Sequence, residues 1–182
     1  MNMSDSIRTV SVGVHKLHPD AFDPIYATEG SACFDIKACF VNGKCLIKSF
    51  TDESKGHMLL AASDLNVDTK YVTLPPHSRT MVPTQLSFDI PDGWSMRLHM
   101  RSGLSINGGL MLCNAEGIID SDYTNELMIL VYNSSQIPIR INHGDRICQG
   151  EIVPTYRANF YSCSKPQPKT SRIGGFGSTG KS

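Results

Sequence analysis

Arg79-Thr80-Met81-Val82-Pro83-Thr84-Gln85-Leu86-Ser87-Phe88-Asp89-Ile90, closed by Pro91-Asp92-Gly93, is the stretch that decides the fold class. Its apolar residues are β-branched or alternate with polar ones. The Pro-Asp-Gly behind them supplies a preset φ, a side chain that bonds its own backbone and a residue free to turn. The pattern repeats outward at Ile7 to Val14, Met96 to Met100, Glu126 to Tyr132, Ile137 to Ile141 and Arg146 to Val153. Clusters of Gly, Pro, Asn and Asp separate these runs, Pro75-Pro76 among them. No segment keeps a 3.6-residue apolar period over three turns, so helix is minor. The expectation is an all-β chain, a small jelly-roll-like β-barrel.

A chain of 182 residues with 40% hydrophobic content suits one core. Lys+Arg and Asp+Glu balance at 17 each, which removes the fold-wide basic field that attracts nucleic acid or an anionic membrane. Any anion site must be local. The first six residues show no basic segment leading into an apolar one, and no stretch nears the roughly 18 apolar residues of a membrane span. A soluble, cytoplasmic protein is expected, with neither nucleic acid nor membrane as partner.

The six cysteines read as thiols, since a chain of this length needs no disulfide scaffold. Cys33, Cys39 and Cys45 recur without a CxxC or a matching His pair, which argues against a zinc site. Cys113 and Cys148 sit in apolar runs and read as small hydrophobes. Asn42 to Lys70 is polar and weakly patterned, an insertion or long loop with room for a short helix over Ala61 to Asn66. It could serve as a surface for another protein. Ser162 to Ser182 has little to bury. The chain thus divides into a barrel domain over 1–161 and a flexible Gly-rich arm over 162–182.

Four segments offer chemistry. Gly117-Ile118-Ile119-Asp120-Ser121-Asp122-Tyr123 places two acids in an apolar run, where an unpaired carboxylate is costly to bury. A solvated hairpin tip would avoid that cost. Arg101-Ser102-Gly103 offers a guanidinium fork, a hydroxyl and a pliant backbone, donors that suit a phosphate. Gly144-Asp145-Arg146-Ile147-Cys148-Gln149 turns into a strand; if Ile147 faces the core, Gln149 at i+2 faces it too and needs hydrogen-bond partners. Arg172-Ile173-Gly174-Gly175-Phe176-Gly177-Ser178-Thr179-Gly180 could wrap phosphate oxygens and lay one ring on a base. It is not a Walker loop, because Lys181 follows the last glycine with no Lys-Ser/Thr pair in place.

Together with Ser31-Ala32-Cys33-Phe34-Asp35-Ile36, these segments in this order resemble the signatures of the trimeric dUTPase family. The resemblance implies a homotrimer whose C-terminal tail is exchanged between subunits, hydrolysing dUTP to dUMP and pyrophosphate. Under it Asp120 is the general base for water attack on the α-phosphate, and Arg101, Ser102, Gly103 and Gln149 hold phosphates. Asn114, Gly117 and Ile119 belong to a hairpin over Cys113 to Ile119 that takes uracil, with Tyr123 beneath the deoxyribose. Phe176 stacks on uracil, while Arg172, Gly177, Ser178 and Thr179 close over the phosphates. Mg²⁺ arrives on the triphosphate, with Asp35 reaching it through water. Asp122 keeps only a structural role.

The match departs from the family pattern in four places: Met100 replaces a proline, Cys33 replaces a glycine, the arm is one residue short after Arg172, and Asn42 to Lys70 is an insertion without counterpart in the family's compact members. A dCTP deaminase, alone or bifunctional with dUTP hydrolysis, shares the Ile119 to Asn133 region. That family carries a glutamate where Leu130 stands, and an apolar side chain cannot shuttle the proton of deamination. A dUTPase-like regulatory binding protein is the non-enzymatic alternative.

Overall fold

The computed structural model describes residues 9–41, 47–51, 58–60 and 70–171, with 47–51 and 58–60 described by backbone alone. The first strands are β1 (Gly13–Lys16), β2 (Ile25–Tyr26), β3 (Phe34–Lys37), β4 (Ile47–Thr51) and β5 (Met58–Leu60). β6 (Tyr71–Leu74), β7 (Ser78–Pro83), β8 (Leu86–Asp89) and β9 (Trp94–Met100) lead into the short helix α1 (Ser102–Gly108). β10 (Leu110–Leu112), β11 (Gly117–Ile119), β12 (Met128–Asn133), β13 (Ile139–Asn142) and β14 (Arg146–Pro154) complete the order.

Two five-stranded sheets, β10-β12-β7-β4-β5 and β11-β9-β14-β3-β2, carry the fold, with β1-β8 and β13-β6 as two-stranded additions. β14 lies between β9 and β3 although both precede it by long stretches, a jelly-roll-like crossing of sequence order. Among the described strands every pairing is antiparallel. The all-β expectation holds.

Period-two alternation sets the two faces of the second sheet. Phe34, Ile36, Met96, Leu98 and Cys148 point into the core, where they share one buried cluster with Val82, Leu110, Leu112, Ile129 and Val131 of the first sheet. Asp35, Arg97, His99, Gln149 and Glu151 alternate with them and stay half-buried on the outer face. Gly150 is forced by this packing, since a Cβ there would lie 2.8 Å from two atoms of the Phe34 ring.

Several local expectations are corrected. The run Arg79 to Ile90 is two strands: β7 ends at Pro83, Gln85 takes φ 56°, and β8 leaves to pair with β1. Two bonds lock the switch. Thr84 Oγ1 donates to the Leu127 carbonyl at 2.7 Å, and Glu126 Oε1 accepts from Gln85 N at 2.9 Å. The strand expected over Ile7 to Val14 begins at Gly13, where pairing to Asp89 begins. Helix α1 went unforeseen because seven residues are too few to show a period.

The segment 42–70 is more than a loop, for β4 pairs with β7 and β5 extends that sheet. The helix expected over Ala61 to Asn66 lies outside the described residues. Cys148 is buried as expected, but Cys113 is exposed at the turn after β10. Residues 162–171 are exposed and without regular structure, while Arg172, Phe176, Gly177, Ser178 and Thr179 lie outside the described residues. No helix among the described residues is long and apolar enough to cross a membrane.

Candidate active site

The outer face of β3 and β14 builds the cleft. Asp35 on β3 stands opposite Gln149 on β14, and Gln149 stands opposite His99 on β9, so three strands present polar side chains on one level. β9 ends at Met100, and Arg101 caps α1 with extended dihedrals, φ −71° and ψ 128°. This places Arg101 over Asp35: Arg101 Nε lies 3.1 Å from Asp35 Oδ1, and Arg146 Nη1 lies 3.0 Å from Oδ2. Arg101 Nη1 also donates to the Arg146 carbonyl at 3.1 Å.

Asp35 thus aligns two guanidiniums while neutralising one charge. The surplus positive charge suits an anion, and planar guanidinium forks suit phosphate oxygens. Ser102 and Gly103 form the first turn of α1, where backbone N–H groups lack intrahelical acceptors. With Arg101, Arg146, Gln149, Asp35 and Cys33 they line a cleft of about 400 Å³. Asp35, Arg101 and Arg146 also wall a neighbouring cleft of about 540 Å³ that runs toward Lys37 and Arg140. Burial pushes the half-buried Cys33 thiol up from its ordinary pKa, and Glu151 adds to the effect.

Gln149 reaches the cleft for a reason opposite to the one expected. A bulge between Arg146 and Cys148 lets Ile147 and Cys148 both point inward, so Gln149 emerges on the outer face. An irregularity of one residue inverts an i, i+2 argument. Arg146 was missed as a site residue. Its only signal was its place two residues after Gly144, in the segment that also supplies Gln149.

The other half of the expected site is elsewhere. Cys113 to Ile119 is no hairpin, because β10 pairs with β12 in one sheet and β11 with β9 in the other. Asn114 is exposed in the intervening turn, where Ala115 takes φ 59°. Gly117 is buried against Leu98, whose Cβ would lie 3.0 Å from an added Cβ. Ile119 is half-buried, and Asp120 and Asp122 are both exposed. Neither acid is buried within the chain. The Tyr123 amide donates to the Asp120 carbonyl at 3.1 Å, and the Tyr123 hydroxyl donates to the Glu126 carbonyl at 2.9 Å, which fixes the ring beside the turn.

Register separates the halves. Ile119 pairs with Met96, so Asp120 falls level with Ser95, while Arg101 lies beyond the opposite end of β9. At about 3.4 Å per residue the two are roughly 20 Å apart along the strand. One chain brings together Arg101, Ser102, Gly103, Gln149 and Asp35; it does not bring Asp120 or Tyr123 to them.

A dUTPase family model matches residues 50–180. The deoxyuridine 5'-triphosphate nucleotidohydrolase of Helicobacter pylori strain P12 is 31% identical over 173 residues, covering 95% of this chain and 99% of the relative. That of Syntrophotalea carbinolica is 30% identical, covering 96% and 99%. Among solved structures, the Staphylococcus bacteriophage 80alpha dUTPase with dUPNHPP superposes with TM-score 0.70 at 22% identity, covering 94% of this chain and 99% of that one. A point mutant of the dUTPase from phage phi11 of S. aureus, which coordinates a structural Mg(II) ion, superposes with TM-score 0.63 at 20% identity over 86% of this chain and 98% of its own.

Proposed function

The chain belongs to the dUTPase family, and on that premise we propose that it is a dUTP diphosphatase, hydrolysing dUTP to dUMP and pyrophosphate at a site shared between subunits of a homotrimer. The observation that carries this reading is the cleft, in which Arg101, Ser102, Gly103 and Gln149 converge around the Asp35–Arg101–Arg146 cluster. The roughly 20 Å between Arg101 and Asp120 supports sharing, because a second chain must bring its Asp120 turn to the first chain's cleft.

In this reading Asp120 takes a proton from the water that attacks the α-phosphorus. The bond from that phosphorus to the bridging oxygen breaks, pyrophosphate leaves with the bond electrons, and dUMP keeps the new oxygen. Arg101, Ser102 and the Ser102 and Gly103 amides hold the phosphate oxygens as charge builds on them. Gln149 donates from the strand, and Asp35 keeps both guanidiniums aimed. Asn114, Gly117 and Ile119 with the backbone of 113–119 receive uracil. Tyr123, fixed by Glu126, sits under the deoxyribose and excludes a ribose hydroxyl. The arm, through Arg172, Phe176, Gly177, Ser178 and Thr179, closes from a neighbouring subunit and excludes bulk water.

The cluster's surplus positive charge disfavours a free Mg²⁺, so in this reading the ion comes as part of the incoming triphosphate and meets protein only through water. Both Asp35 oxygens already accept guanidinium contacts, so Asp35 would hold a hydrated ion carried in on the triphosphate. When bound, the ion neutralises charge on the phosphate oxygens. Leu130, an exposed aliphatic residue on β12, leaves no proton shuttle at the position where the deaminases carry a glutamate. The reaction removes dUTP from the pool open to DNA synthesis and supplies dUMP for thymidylate synthesis, work expected in the cytoplasm. Pyrophosphate release from dUTP, dCTP, dTTP and UTP with Mg²⁺ tests the reading. Release from dUTP alone is expected; release from dCTP, or from none, would overturn it.

A further inference from the structure

Cys33, His99 and Glu151 have no part in the chemistry above, yet they converge. Cys33 precedes β3, His99 lies on β9 and Glu151 on β14, the strand between them. One donor atom from each, the thiol sulfur, an imidazole nitrogen and a carboxylate oxygen, lies within 4.8 Å of the others. His99 Nε2 stands 3.0 Å from Glu151 Oε1. On the other side of the ring, Glu116 Oε1 lies 3.9 Å from Nδ1.

We propose that Cys33, His99 and Glu151 form a three-ligand site for a zinc-class divalent ion, with the fourth position open to water. Donor chemistry selects the metal class, since a thiolate, an imidazole and a carboxylate together favour Zn²⁺ or Co²⁺ over Mg²⁺ or Ca²⁺. Placement agrees. All three residues are half-buried, which keeps their water shells thin while leaving an approach from solvent. A plain His99–Glu151 hydrogen bond needs no third donor, so the convergence of Cys33 is the feature that the simpler reading leaves without a purpose. The site shares the outer face with Gln149, which stands opposite His99, and Cys33 itself lines the phosphate cleft. The spacing rule that argued against zinc covers only neighbours in sequence; these ligands meet through strand pairing.

The probe is Co²⁺ added to the chelator-treated full-length protein. The expected result is a near-ultraviolet thiolate-to-cobalt charge-transfer band that saturates at one ion per chain and is displaced by Zn²⁺ but not by excess Mg²⁺. Cys33→Ser should abolish the band, and His99→Asn should weaken zinc binding at least tenfold in equilibrium dialysis. A Cys113→Ser/Cys163→Ser double variant, which removes the two exposed thiols among the described residues, should bind as the wild type does. Circular dichroism shows whether each variant is folded, and the Cys113/Cys163 variant keeps the test open if Cys33→Ser does not fold. No band, a band that survives Cys33→Ser, one lost in the double variant, or displacement by Mg²⁺ would overturn the proposal.

Discussion

The two ends of β9 are built on different principles. At the Arg101 end, one carboxylate and two guanidiniums are locked together at 3.0 and 3.1 Å, and the cleft around them is preformed. At the Asp120 end, both acids stand in solvent on a turn held by backbone bonds and the Tyr123 hydroxyl. The first end is ion-paired and electrostatically biased toward anions before any ligand arrives. The second has its side chains free for whatever docks against them. A phosphate clamp benefits from preorganisation, whereas a base that meets its water only in an assembled site gains nothing from burial in the lone chain.

The largest effect expected at either end is that of Asp120→Asn. It should lower kcat by roughly 10² to 10⁴-fold, the usual worth of a general base, while dUTP binding measured by calorimetry is retained. An active variant would remove Asp120 from the chemistry and with it the contrast between the ends. Arg101→Ala should act mainly on binding, costing about 10- to 100-fold in kcat/KM, the range for a hydrogen bond to a charged partner. If it lowers kcat alone, the Arg101 end is no preformed clamp.

Packing beneath the cleft supplies a further test, of stability. Gly150→Ala forces a methyl group onto the Phe34 ring and should cost about 1 to 3 kcal/mol in denaturant melts. An unchanged midpoint would mean that the sheet carrying Asp35 and Gln149 can yield, which weakens the claim of a preformed cleft.

The smallest effect is a pH dependence of stability. His143 Nδ1 accepts the Phe40 amide at 3.1 Å, and burial, reinforced by the charge of Lys70, holds its pKa below the ordinary imidazole value. A depressed folded pKa means that the unfolded chain binds the proton first. The stability from neutral His143 is therefore full above pH about 6.5 and is lost as pH falls below it. His143→Gln should flatten that decline; an unchanged slope would assign it to other groups.

Much of this was legible in the sequence, and the failures share a cause. Strand runs and turn residues identified an all-β fold because alternation is a local property. Gln149 was assigned to phosphate by resemblance, but the i, i+2 argument pointed it inward, since a bulge leaves no mark in an apolar pattern. The break at Thr84-Gln85 was hidden for a similar reason: the bonds that fix it come from Glu126 and Leu127, far along the chain. Arg146 stands in a segment read for chemistry yet drew no task there, because its partner Asp35 is reached only through β3–β14 pairing. The acids at 120 and 122 read as costly because Ile118 and Ile119 suggested burial, yet β11 is a sheet edge and Ile118 is half exposed.

The central claim is that one active site takes Arg101 from one chain and Asp120 from another. Asp120→Asn and Arg101→Ala subunits, each impaired alone when dUTP is kept well below KM, can be mixed, unfolded together and refolded before dUTP hydrolysis is measured under that condition. Sharing predicts that the mixture recovers activity well above either parent, because mixed trimers contain sites with both residues intact. A mixture no more active than the average of its parents would contradict it.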